Sequence, residues 1–344
     1  ENGILPLKSN SSVMVLGQFI KENVAGGGSA CVNPMRVPVG LEQTLPLADS
    51  SLRVDFVPGY IYGYSAAFCD YDRLEEALDK AKGKDYVVIH AGTTSAIESE
   101  QHDRQSIKLD PYIEDFINLV AKVNEKVVVV LYSGSVIDVS AWEKSAKAIL
   151  YAGHGGQAVN EAVADLLLGK VSPSGKLNET FIYSLDDSFA YKTGYGITGV
   201  DYEEGLLMGY KYYDKKKIKV RYPFGYGLSY ANFIYDNLSV YKKDGDVYAS
   251  FDVKNASSID AKEIVQVYVG YKKADKNEPI RVLAGYDKAL IEAGKIKTFI
   301  IKIDPRAFEY YDVQKEEFVL RHGKYEISVG KDSRNLILKK DLEV

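Results

Sequence analysis

The sequence has 344 residues, 46% hydrophobic and 26% charged, with a formal net charge of -5; that is enough chain for two or three domains with cores of good size. There is no dense Lys/Arg block, and Lys215-Lys216-Lys217 suits a solvated turn, so nucleic acid is not an expected partner. No apolar stretch reaches the roughly 18 residues that span a membrane as a helix, and two cysteines, Cys31 and Cys69, make no disulfide framework, which fits a reducing, cytoplasmic setting.

The first part of the chain alternates strand and helix. Val13 to Gly17, Tyr86 to His90, Val127 to Leu131 and Ala148 to Leu150 read as buried strands, short and continuously apolar. Between them, Tyr71 to Lys82 is amphipathic, and a helix opens at Pro111, a favoured first-turn residue, with Ile113, Phe116, Ile117, Val120 and Val123 as its apolar stripe. Gln157 to Leu168 is a further helix, stopped by Gly169. Unbroken apolar strands alternating with helices predict a mainly parallel sheet covered on both faces, an α/β sandwich over residues 1–190.

Residues 191–232 are rich in Gly and Tyr and lack periodicity; so aromatic a linker is expected to be packed rather than loose. From residue 233 to 344 alternating runs such as Val247 to Val253, Ile264 to Val269 and Thr298 to Ile303 predict about seven strands in an immunoglobulin-like sandwich.

Two segments stand out chemically. Glu98-Ser99-Glu100-Gln101-His102-Asp103-Arg104 leaves the end of the Tyr86 strand. In open α/β sheets the crevice beyond the carboxyl ends of the strands binds ligands. This stretch is either a solvated loop with a local Asp103/Arg104 pair or a carrier for a glutamate that donates a proton. The second segment is Gly26-Gly27-Gly28-Ser29, which follows the first strand. It matches neither phosphate-binding fingerprint, and it predicts a turn where the backbone comes close to something else, with Ser29 offering a hydroxyl. His90, His154 and His322 suit structural positions, and the four histidines have no ligand spacing, so neither a metal nor a cofactor is expected. Trp142 suits the core.

Taken in order, a series of stretches resembles glycoside hydrolase family 3, the β-glucosidase family. They are Asn2-Gly3-Ile4-Leu5-Pro6-Leu7, Gly27-Gly28-Ser29 with Val32-Asn33-Pro34, Glu100 with Asp103-Arg104, Gly155-Gly156-Gln157, Ser172-Pro173-Ser174-Gly175-Lys176-Leu177, Tyr202-Glu203-Glu204-Gly205, Gly209-Tyr210-Lys211-Tyr212-Tyr213 and Pro223-Phe224-Gly225-Tyr226-Gly227-Leu228-Ser229-Tyr230. The resemblance implies an α/β sandwich joined to a fibronectin type III-like domain. It also implies a (β/α)8 barrel whose aspartate, in an Asp-Trp signature, is the nucleophile; this sequence has neither that signature nor room for the barrel.

The same resemblance makes Glu100 the general acid/base of a retaining, exo-acting β-glycosidase, with Glu98 as runner-up. It places Ser29 at a family serine near the sugar and has Asp103 and Arg104 brace the loop as a charge-assisted pair, with Arg104 within reach of a sugar hydroxyl; His102, where the family has another residue, is either a substrate contact or an exposed loop histidine. The family's Glu-Gly-Tyr-Asp-Arg reads Glu100-Gln101-His102-Asp103-Arg104 here, a departure that touches loop geometry and substrate choice. The implied partners are a glycoside substrate and the barrel, as a domain or a second chain, with a homo-oligomer compatible. The chain starts at Glu1 without a Met, so the gene product is expected to begin upstream, and on its own the chain is expected to be inactive. A non-catalytic carbohydrate-binding or scaffold protein of the same fold is the alternative, and the retained Glu-x-x-Asp-Arg loop argues against it.

Overall fold

A computed structural model describes residues 3–18, 25–62, 67–68, 70–100, 104–193 and 202–344. The chain forms two compact units, 1–171 and 172–344.

In the first unit five parallel strands form one sheet: β1 (Ser12–Leu16), β2 (Arg53–Val57), β5 (Tyr86–Gly92), β6 (Val127–Tyr132) and β7 (Ala148–Tyr151), in the order β2-β1-β5-β6-β7. A two-stranded hairpin, β3 (Ile61–Tyr62) and β4 (Ala67–Phe68), lies apart from it. Among its described residues are four α-helices: α1 (Leu41–Ala48), α2 (Tyr71–Ala81), α3 (Pro111–Val123) and α4 (Val159–Leu167). The start of α2 is fixed by Asp70, whose side chain accepts from the Arg73 N–H, and that of α3 by Asp110, which accepts from Tyr112 ahead of Pro111 in the first turn.

Every residue of β5 and β6 is buried, as expected of parallel strands covered on both faces. Val13, Val15, Val88, Val128 and Val130 pack with Leu41, Leu45, Val159, Val163 and Leu167 of α1 and α4. The alternate residues Met14, Leu16, Val87, Ile89 and Val129, also inaccessible, point to the other face, which α2 and α3 cover with Ala77, Ile113, Phe116 and Ile117. Trp142 is fully buried.

The strand order turns back between β1 and β5: the chain passes from β1 outward to β2, then returns to β5 on β1's other side. That is the switch point of a doubly wound sheet, where the loops leaving the two strands diverge and open a crevice.

The described residues of the second unit form two short α-helices, α5 (Phe189–Thr193) and α6 (Tyr210–Lys215), and an antiparallel sandwich. One sheet has the order β11 (Val282–Ile291), β10 (Ala261–Tyr271), β15 (Lys324–Gly330) and β16 (Leu336–Glu343). The other has the order β12 (Ile296–Lys302), β9 (Asp246–Asn255) and β8 (Phe233–Lys243), and a hairpin joins β13 (Glu309–Asp312) to β14 (Glu317–Leu320). Phe251, Phe299, Val253, Val265, Val267 and Ile327 fill the space between the sheets.

Residue 190 lies inside this unit, in which described residues between 172 and 230 hydrogen-bond to one another and to the sandwich. Leu177 donates its N–H to the Tyr226 carbonyl at 2.8 Å and Phe181 to that of Tyr222 at 2.8 Å. The side chain of the buried Gln266 donates to the carbonyls of Gly225 and Lys331.

Candidate active site

Loops leaving four strands of the parallel sheet at their carboxyl ends meet near the switch point, the one after β6 bringing Ser133 and Gly134. After β5 the chain makes one helical turn, with Glu98 N–H bonded to the Thr94 carbonyl at 2.9 Å, and then presents Ser99 and Glu100. The loop that follows β1 brings Gly26, Gly27, Gly28 and Ser29 against that turn. The stretch after β7 brings His154.

The glycine run is explained by close approach. A Cβ on Gly26, which has φ +64°, would sit 3.3 Å from His154 Cδ2; one on Gly27 would sit 2.5 Å from Ser99 Oγ; one on Gly28, at φ +67°, would overlap Glu100 Cβ. Side chains at these three positions would separate the loops.

Glu100 is exposed. Its Oε2 accepts the Ser29 backbone N–H at 2.8 Å. The Ser29 hydroxyl and that N–H together hold the Glu100 carboxyl below the ordinary glutamate value. Glu98 is different. Its side chain is only 16% exposed, and its Oε2 accepts from Thr93 Oγ1 at 2.5 Å, Gly134 N–H at 3.0 Å and Ser133 Oγ at 3.3 Å. Arg104 Nη1 lies 3.8 Å from Glu98 Oε1, and His154 Nε2 lies 3.8 Å from Oε2.

Arg104, read from the sequence as a sugar contact, has a side chain only 11% exposed and donates from Nη1 to the Val136 carbonyl at 3.0 Å. Here it faces Glu98 and the loop after β6. His102 and Asp103 lie outside the described residues, and with them the Asp103/Arg104 pair. Among the described residues no group of three or more His, Cys, Asp or Glu side chains is arranged to hold a metal. No helix there is long and apolar enough to cross a membrane.

Thr93, Ser133, Gly134 and His154 were not anticipated as site residues. Each follows the carboxyl end of a parallel strand, fully buried in β5 and β6 and half-buried in β7, the same position that drew attention to Glu98 and Glu100. His90, by contrast, is structural: it is fully buried, stacked on Tyr132 at 5.5 Å, and burial lowers its pKa to about 3.

Residues 1–230 match the glycosyl hydrolase family 3 C-terminal domain, and residues 263–333 match the fibronectin type III-like domain. The chain belongs to glycosyl hydrolase family 3. This family 3 chain is 35% identical over 350 residues to thermostable beta-glucosidase B of Acetivibrio thermocellus, covering 100% of itself and 46% of that protein. It is 37% identical over 348 residues to the exo-alpha-(1->6)-L-arabinopyranosidase of Bifidobacterium longum, covering 98% of itself and 45% of that protein. The crystal structure of the Bifidobacterium adolescentis GH3 beta-glucosidase superposes with a TM-score of 0.92 at 34% identity, over 100% of this chain and 50% of that one. The family 3 chain therefore spans about half the length of the curated relatives it matches. It carries the family's α/β and fibronectin-like parts, and no barrel is present among its described residues.

Proposed function

We propose that this chain is the acid/base half of a retaining, exo-acting β-glycosidase of β-glucosidase type, and that Glu100 is the proton donor. The observation that carries the reading is the presentation of Glu100: an exposed carboxyl at the switch-point edge of the sheet, fastened by Ser29, at the position matching the family's Glu-x-x-Asp-Arg motif. A barrel, as another part of the same polypeptide or as a second chain, would supply the aspartate nucleophile. The two carboxyls would then stand about 5 to 5.5 Å apart across the anomeric carbon, as retention requires.

In the first step the nucleophile attacks the anomeric carbon while Glu100 gives its proton to the departing glycosidic oxygen. In the second, Glu100 as carboxylate takes a proton from the water that releases the sugar. A donor must hold its proton near neutral pH, whereas Glu100 in this chain is held toward the carboxylate. Docking of the barrel reverses that balance in two ways: it removes water from Glu100, and it brings a second negative charge close, each of which disfavours the carboxylate.

The likeness to an arabinopyranosidase makes the α-L-arabinopyranoside the second substrate to assay. The test is hydrolysis of p-nitrophenyl β-glucoside and p-nitrophenyl α-L-arabinopyranoside by this chain alone and by the chain together with its barrel. Turnover of either substrate is expected only with the barrel. Turnover by the chain alone would contradict the division of labour, and failure of the pair on both would contradict the substrate class.

A further inference from the structure

Glu98 sits two residues from the proposed donor with its carboxylate turned inward, where one oxygen collects donors from two neighbouring strand ends. Thr93 follows β5, Ser133 and Gly134 follow β6, and all three reach Oε2 at 2.5 to 3.3 Å. The other oxygen faces Arg104 at 3.8 Å, and His154, which follows β7, lies 3.8 Å from Oε2. One carboxylate thus joins the ends of β5, β6 and β7 to the turn that presents Glu100. The surroundings are built to this closeness: a Cβ at Gly134 would stand 2.7 Å from His154 Cδ2 and 3.0 Å from Glu98 Oε1.

We propose that Glu98 is the positioning residue of the acid/base loop and not an alternative proton donor; the proposal rests on the reading of Glu100 as donor. Two physical points separate the roles. An oxygen that already accepts from Thr93 and Gly134, with the Ser133 hydroxyl shared between it and the nearer Ser135 carbonyl, is poorly placed to release a proton to a substrate, while Glu100 is exposed. A positioning strut also needs both oxygens as acceptors, since the Thr93 hydroxyl and the Gly134 N–H donate to one and the Arg104 guanidinium faces the other. Glutamine at this place keeps one acceptor oxygen and turns its NH2 toward the Arg104 guanidinium or toward Thr93 and Gly134, donor against donor. The loop then loses its anchor, and Glu100 moves with it.

The test uses the barrel-bearing enzyme and the variants Glu98→Gln, Glu100→Gln and their combination, assayed on an alkyl glycoside (poor leaving group) and a 2,4-dinitrophenyl glycoside (good leaving group). Glu98→Gln is expected to lower kcat/KM on the alkyl glycoside by on the order of 10- to 100-fold, the effect of displacing a reacting group by about 1 Å, and to change the dinitrophenyl substrate little. In the Glu100→Gln background the same substitution is expected to have no further effect, since Glu98 acts only through Glu100. Thr93→Val, which removes one donor and keeps the volume, is expected to show the same coupling at smaller size and serves if Glu98→Gln does not fold. Equal, additive losses on both substrates in both backgrounds would overturn the positioning role, as would wild-type rates for Glu98→Gln. Rescue of Glu98→Ala by azide, with Glu100→Gln close to wild type, would overturn instead the assignment of Glu100 itself.

Discussion

Ser29 donates its backbone N–H to Glu100 Oε2 across 71 residues of sequence, and the glycine before it is what allows the two to meet. Gly28 has φ +67°, and a Cβ there would overlap that of Glu100. Gly28→Ala is therefore expected to cost about 1–2 kcal/mol in backbone strain alone and to push the loop after β1 away from the loop after β5. In the barrel-bearing enzyme kcat/KM is expected to fall by at least tenfold. Urea unfolding and steady-state rates check the two effects separately. Wild-type rates would show that the Ser29 contact has no part in catalysis.

The Ser29 hydroxyl lowers the Glu100 pKa in this chain, with the backbone N–H as the second cause. Ser29→Ala removes the first and keeps the second. The midpoint of Glu100, followed by carbon NMR of the side-chain carboxyl, is expected to move up toward the ordinary value of 4.5 without fully reaching it. Because the folded value is depressed, the stabilisation is present above the unfolded value and lost as pH falls through the folded one. The variant should differ from wild type in stability at neutral pH and converge with it in acid. An unmoved midpoint would mean that the hydroxyl points elsewhere in solution.

His90 gives a pH effect of separate origin. Complete burial lowers its pKa from 6.5 to about 3, so the imidazole is neutral in the fold and protonates only on unfolding. The unfolded chain then binds the extra proton between these two values, and stability falls as pH drops from 6.5 toward 3, by up to about 1.4 kcal/mol per pH unit. His90→Phe, which keeps a ring against Tyr132, is expected to flatten that dependence. Urea midpoints at pH 4, 5, 6 and 7 read it directly, and parallel curves for the two proteins would contradict the burial argument.

The sheet was legible because β5 and β6 are buried on both faces and so are apolar at every position. The edge strand β2 was not, since Arg53, Asp55 and Phe56 are exposed and leave no period to read. Nor was α1, which carries Pro46 inside it and starts at Gly40 with no side-chain cap. At the site, Glu100 and Ser29 could be found from a dense polar stretch and a glycine run, each following a buried strand. The cluster around Glu98 could not. Thr93, Ser133 and His154 come from three stretches of chain, and only the pairing of β5 with β6 and of β6 with β7 makes them neighbours. His154 showed only as an isolated histidine, and isolated histidines are common in cores. Arg104 reads as a loop brace and sugar contact from the family motif; its Nη1 donates to the Val136 carbonyl and lies 3.8 Å from Glu98 Oε1, contacts set by the fold and invisible in the sequence.

The most direct measurement is the leaving-group dependence of Glu100→Gln in the enzyme complete with its barrel. A glutamine cannot protonate the departing oxygen, so kcat/KM for an alkyl glycoside is expected to drop by about 10²–10⁴-fold. The 2,4-dinitrophenyl glycoside, whose leaving group departs as a stable anion, should keep a first step close to wild type. An equal loss on both substrates would contradict the assignment of Glu100 as the proton donor.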